Sequence, residues 1–99
     1  MNSSPLLTED EITTGLARLT GWRRQGEMIT RTAEAADFPT AIRVVAEVAE
    51  VAEGMDHHPD IDIRWRRLTF ALTTHSADGV TDLDLRLAAR IDQALDRQV

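Results

Sequence analysis

The 99-residue sequence predicts an α+β fold, a four-stranded antiparallel sheet with three helices packed on one face, in the order α-β-β-α-β-β-α. Three observations predict it. Apolar residues recur at helical spacing in three segments, and each segment is opened by a residue suited to cap a helix: Thr8, Asp37 and Thr81. The two stretches between these segments change to a period of two, and each is interrupted by a short turn. Strands that come in adjacent pairs form hairpins, and helices placed between hairpins cover one side of an antiparallel sheet.

The elements follow in chain order. Ser3 to Leu7 reads as a loose lead-in. Thr8-Glu9-Asp10-Glu11 is a capping box, with the Thr8 hydroxyl on the Glu11 amide and Glu11 reaching back, and Leu7 and Ile12 flank it as a hydrophobic staple. Ile12, Leu16 and Leu19 continue one stripe to Gly21, so the first helix covers about residues 9 to 19. Residues 22–25, a Gly26 turn and residues 27–33 form the first hairpin, in which Met28, Thr30 and Thr32 alternate with Ile29, Arg31 and Ala33. Asp37, followed by Pro39, caps a long helix from Phe38 to Met55. One stripe on it is Val44, Val48, Val51 and Met55; a second is Ile42, Val45, Ala49 and Ala52. Packing on one sheet needs only one stripe, so the second predicts burial against another subunit, the alternative being a helix sunk deep in its own core. Gly54 loosens the helix end, and Pro59 forces His58 into an extended conformation. Ile61 to Trp65 and Leu68 to Thr73 form the second hairpin, with its turn near Arg66-Arg67. After an Asp78-Gly79 turn, Thr81 caps a last helix whose stripe is Leu83, Leu87, Ile91 and Leu95.

Composition narrows the function. The length suits one domain spanning residues 1–99. A net charge of −6 argues against a phosphate-tracking surface, so no nucleic-acid partner is expected. Met1-Asn2-Ser3-Ser4-Pro5 lacks the pattern of a signal peptide and no apolar run approaches the length of a membrane span, so a soluble cytoplasmic protein is expected. Cys and Tyr are absent, and all eleven basic residues are Arg. Thiolate nucleophiles, Cys-based zinc sites and lysine Schiff bases are therefore excluded. If the chain is an enzyme without a bound cofactor, the remaining acid/base groups are carboxylates and the three histidines, His57, His58 and His75. An isolated His pair at a helix end has a simpler role, capping carbonyls and answering the helix dipole. The two imidazoles must diverge, because consecutive side chains do not share a face, and diverging neighbours make a shared metal ion a poor reading.

The spacing of these residues carries more. Glu53, three residues, His57-His58-Pro59, five residues, Trp65, nine residues, His75, eight residues and Asp84 resembles the signature of the pterin-4a-carbinolamine dehydratases. Gly21-Trp22, Asp37-Phe38 and Gly79 extend the likeness over nearly the whole chain. The resemblance implies the same element order, and an enzyme that removes water from 4a-hydroxytetrahydropterin to give quinonoid dihydropterin, in recycling the pterin of aromatic amino acid hydroxylases. It implies no metal and no cofactor. It assigns His57 and His75 to proton exchange and His58 to gripping or polarising the substrate, with Asp56, Thr74 and Ser76 lining the pterin site. Glu53, one turn before His57, is placed to orient it. Trp22 and Trp65 serve as stacking surfaces or as core and edge residues. Asp84, three residues after Thr81, has at least the carboxylate role in a capping arrangement. Many members carry an aromatic where this chain has Ile61, and often Tyr where it has Trp65. A homo-oligomer, dimer or tetramer, through the long helix and the sheet edge is expected. Some relatives of the family act as transcription coactivators or as carboxylase assembly factors, so a non-catalytic binding module on the same fold is the alternative.

Overall fold

The computed structural model describes residues 4–98. Three α-helices, α1 (Glu9–Ala17), α2 (Phe38–Met55) and α3 (Asp82–Gln98), alternate with two strand pairs, β1 (Arg23–Gln25) with β2 (Met28–Glu34) and β3 (Asp60–Arg64) with β4 (Arg67–Leu72). The strands form one antiparallel sheet in the order β1-β2-β4-β3. This is the α-β-β-α-β-β-α arrangement that the periodicity predicts.

Local chemistry explains most boundaries. Thr8 Oγ1 accepts the Glu11 N–H at 3.1 Å and Glu11 Oε1 accepts the Thr8 N–H at 2.8 Å, which completes the predicted capping box. α1 stops at Ala17, two residues before the predicted end. The Arg18 and Leu19 amides there turn to carbonyls three residues back, tightening the chain before Trp22. The lead-in, whose Ser3 lies outside the described residues, is not loose throughout: Leu6 bridges Thr81, and Leu7 N–H donates to the Val80 carbonyl at 3.0 Å. Gly26, at φ 62°, fills the first central position of the β1–β2 turn, where a positive φ is required. Trp65 occupies the same kind of position at φ 56°, so the second turn is Trp65-Arg66 rather than Arg66-Arg67.

The core lies between the sheet and the helices. Ile29, Leu68, Phe70 and Leu72 from β2 and β4 face Val44, Val48, Leu87 and Ile91, all essentially without exposed surface. In the register Ile29 opposes Leu72 and Ala33 opposes Leu68, so the alternation that predicts each strand also points these side chains the same way. On α2 the buried face is Thr40, Ala41, Val44, Val48 and Ala52, which moves Ala52 from the second predicted stripe to the first. Val45 of that second stripe is half-buried against the core, while Ile42 and Ala49, with Phe38, stay at the surface: Phe38 is 48% exposed and Ile42 40%.

α2 ends in a Schellman motif. Asp56 takes the left-handed conformation (φ 52°, ψ 43°), its N–H donates to the Glu53 carbonyl, and the His57 N–H donates to the Ala52 carbonyl at 3.1 Å. The helix therefore runs through Gly54, and Asp56 ends it. This anchors the His57 backbone to the last turn of a buried helix, which is the first step in positioning its ring.

Candidate functional site

The β3–β4 register sets the site. Asp60 opposes Ala71 at the end of the β3–β4 ladder, so the Asp56-His57-His58 segment that leads into β3 and the Thr73-Thr74-His75 segment that leaves β4 lie at the same end of the sheet. The two motifs, separated by a hairpin in sequence, become neighbours at the end of the sheet opposite the Trp65 turn. The N-terminus of α3 closes on the same corner, since Thr81 caps it just after the Thr74–Gly79 bridge.

The centre of this corner is Asp84, which has no exposed surface. Its Oδ2 accepts the Thr81 N–H at 2.9 Å and the Thr74 hydroxyl at 2.8 Å. Its Oδ1 lies 2.6 Å from Nε2 of His57, which is itself buried. The capping role predicted for Asp84 is there, but it uses only one oxygen. The other oxygen holds an imidazole 27 residues earlier in the chain, a carboxylate–imidazole contact that is short and shielded from water.

The other predicted residues fall in different places. His58 diverges from His57 as expected; it is exposed, with Nε2 2.9 Å from Glu53 Oε1. Glu53 thus faces His58 and not His57: the Schellman turn sends the His57 ring inward and leaves the His58 ring outside, within reach of the carboxylate. His75 opens a 3₁₀ turn (His75–Ala77) and lines a cleft of about 330 Å³ with Glu27, Met28, Thr73 and Asp78. Asp56 and Ser76 are exposed beside these histidines in sequence. Thr74 is buried, and its hydroxyl points to Asp84 and Thr81.

The two tryptophans lie elsewhere. Trp22 is buried, and its indole N–H donates to Asp92 Oδ1 at 2.8 Å, sharing that oxygen with Arg31. Asp92 is eight residues beyond Asp84 on α3, about 12 Å along the helix axis. Trp65 is 70% exposed under the guanidinium of Arg66, and five residues of strand place it roughly 16 Å from Asp60. Within one chain, neither stands among the histidines.

Two features of the corner have no simple counterpart in the sequence pattern. The pairing of His57 with Asp84 depends on the β3–β4 register and on where α3 begins, neither of which the histidine motif encodes. Thr81 carries a signal, because a Thr three residues before an Asp reads as a cap, but the same signal gives no hint that its hydroxyl continues to Thr74. Chemically, the corner offers an imidazole with one nitrogen held by a buried carboxylate, and two exposed imidazoles, His58 next to His57 and His75 next to Thr74; His75 lines the cleft, and His57 and His58 do not.

Comparison with known proteins places this geometry. The sequence profile of the family described as pterin 4 alpha carbinolamine dehydratase matches residues 5–94. A protein of Nocardia farcinica is 52% identical over 91 residues, covering 92% of this chain and 96% of its own length. One from Mycobacteroides abscessus is 51% identical over 92 residues, covering 93% and 98%. Both carry provisional names as pterin-4-alpha-carbinolamine dehydratases. Among solved structures, a transcriptional coactivator/pterin dehydratase from Brucella melitensis superimposes with a TM-score of 0.88 at 38% identity, covering 90% of this chain and 97% of that one. A pterin dehydratase-like protein identified as a RuBisCO assembly factor in the alpha-carboxysome matches with a TM-score of 0.66 at 19% identity over 76% of this chain and 89% of its own, a likeness of fold alone. With nearly its whole length matched by the family profile and by relatives at about half identity, this chain belongs to the pterin 4 alpha carbinolamine dehydratase family.

Proposed function

We propose that the protein dehydrates 4a-hydroxytetrahydropterin to quinonoid dihydropterin by histidine general acid/base catalysis, as a step in recycling a hydroxylase pterin. The observation that carries this reading is the buried His57–Asp84 pair at 2.6 Å, tied through Asp84 to Thr74, with His58 following His57 and His75 following Thr74 in the chain. The reaction needs one group to take the proton from N5 and another to protonate the 4a-hydroxyl; the C4a–O bond then breaks, C4a=N5 forms and water leaves. Imidazoles are suited to both tasks near neutral pH. His57 and His75 exchange protons with the substrate, and His58, outside on its Glu53 partner, grips it. Asp56 and Ser76 are exposed on the same turns and line the pterin.

Self-association is part of the proposal. Phe38 and Ile42 on α2, with Ile63 on β3 and Trp65 in the turn after it, leave large apolar side chains at the surface, and these are the groups a second copy of the chain would cover. The same surface favours a second reading, a binding module in which partner capture depends on α2 and is indifferent to the histidines.

The deciding experiment is ultraviolet stopped-flow of the dehydration, with substrate generated by a hydroxylase. The native chain should accelerate it, and His57→Ala or His75→Ala should lower turnover by something like 10²–10⁴-fold. Full turnover in both folded variants would overturn the assignment.

A further inference from the structure

Resting on that reading, we infer that His57 is the proton acceptor and works through Nδ1, and that Thr74 and Thr81 are positioning residues which hold it in that tautomer through Asp84. The hydrogens can be placed one at a time. An ionised carboxylate only accepts, so the Thr74 hydroxyl, 2.8 Å from Asp84 Oδ2, directs its single hydrogen there. The Thr81 hydroxyl, 2.7 Å from Thr74 Oγ1, must then be the donor in that contact. Its own oxygen accepts the Leu83 N–H at 3.2 Å. The Thr81 N–H also reaches Asp84 Oδ2, at 2.9 Å. Oδ1 is left for His57 Nε2, so Nε2 carries a hydrogen.

A neutral imidazole has one donor nitrogen and one acceptor nitrogen. With Nε2 donating, Nδ1 holds the lone pair, and among the described residues no protein group is hydrogen-bonded to it. The opposite tautomer would set the Nε2 lone pair against a carboxylate oxygen at 2.6 Å. Thr74, Thr81 and Asp84 are buried, so water cannot relieve that repulsion.

The proton inventory of the reaction follows. The N5 proton passes to Nδ1 of His57, and the N5–H electron pair becomes the second bond of C4a=N5. The C4a–O pair leaves with oxygen, which His75 protonates to water. The imidazolium formed at His57 is answered by the Asp84 carboxylate. Solvent then takes the proton from His57 and restores one to His75. Thr81 touches nothing that reacts; it acts by fixing Thr74, which fixes Asp84.

The test is ¹⁵N NMR of the His57 ring in the native chain, followed by variants. The native ring should show a hydrogen on Nε2 and none on Nδ1. In Asp84→Asn one amide oxygen still serves Thr81 and Thr74, while the amide N–H now faces Nε2 and transfers the ring hydrogen to Nδ1. That variant should show the reversed ¹⁵N pattern, with kcat lowered on the order of 10²–10⁴-fold and KM little changed. Thr81→Val and Thr74→Val should lower kcat by about 10–100-fold, the range seen when outer partners of metal-bound imidazoles are removed, and Ser at either position should restore it. A native ring protonated on Nδ1 would overturn the inference whatever the activity. Native kcat and native ¹⁵N pattern in Thr81→Val would overturn the positioning role. An Nε2–H ring in a native chain that fails to dehydrate any pterin would overturn the proposed function while the tautomer assignment stands.

Discussion

Removing the Asp84 carboxylate is the sharpest test of whether the corner holds the fold together as well as serving chemistry. In Asp84→Ala three donors lose their acceptor: His57 Nε2, the Thr74 hydroxyl and the Thr81 N–H, at 2.6, 2.8 and 2.9 Å. Each bond to a charged acceptor is worth about 1.5–3 kcal/mol. The sum is not the net loss, because the variant also avoids burying a carboxylate. Leaving a buried donor without a partner costs about 1–3 kcal/mol each, and set against the carboxylate that no longer has to be buried we expect a net loss of about 3–5 kcal/mol. Against a total stability of about 5–15 kcal/mol for a domain of this size, it is a large fraction. The corresponding fall in Tm is roughly 15–30 °C. Asp84→Asn, which keeps one acceptor oxygen, should lose only about 1–2 kcal/mol. The assay is urea unfolding at fixed protein concentration, with slopes compared to establish that the denatured states match. Exposed Asp60 supplies the control, since substitutions at such positions usually stay within about 0.5 kcal/mol. If Asp84→Ala unfolds at the same urea concentration as Asp60→Ala, the network is not the buried, satisfied one described here.

Two further outcomes are expected. Asp37 caps α2, and hydrogen bonds from Thr40, side chain and backbone, hold its carboxyl below its ordinary value of 3.8, with Arg43 adding to them against a small opposing effect of burial. A depressed pKa means stability that is present in full above that ordinary value and is lost as pH falls through the folded-state pKa. The urea midpoint of the native chain should therefore exceed that of Asp37→Ala at neutral pH, with the gap narrowing in acid; a gap that widens in acid would contradict the cap. For self-association, light scattering should give the native chain a mass above its 11.0 kDa monomer, and Phe38→Ser with Ile42→Glu should shift it toward the monomer while circular dichroism stays native. A native chain that stays monomeric at every concentration would leave the exposed stripe without this role.

Local rules carried the sequence far in this protein. The Thr8–Glu11 box, the Asp37 cap and the period-two runs of both hairpins each depend on residues within a few positions of one another, so they can be read directly and predict the element order. The motif spacing likewise led to the family. The span of α2 was legible as well, since the helix ends at Met55 as predicted; its cap was not, because the left-handed Asp56 and the His57 N–H on the Ala52 carbonyl depend on how the chain turns into β3.

Only the tertiary structure decided the pairings inside the site. Glu53 is nearer to His57 in sequence, yet it meets His58, and Asp84, 27 residues away, takes His57. The reason is that the Schellman turn, the β3–β4 register and the first turn of α3 meet at one corner, and burial there removes water as a competing partner. A sequence specifies which groups are available and which short-range bonds they make. Which nitrogen of which histidine faces a carboxylate is settled where separate elements pack, and here that packing selects Nε2 of His57 for Asp84 and leaves Nδ1 with no protein hydrogen bond among the described residues.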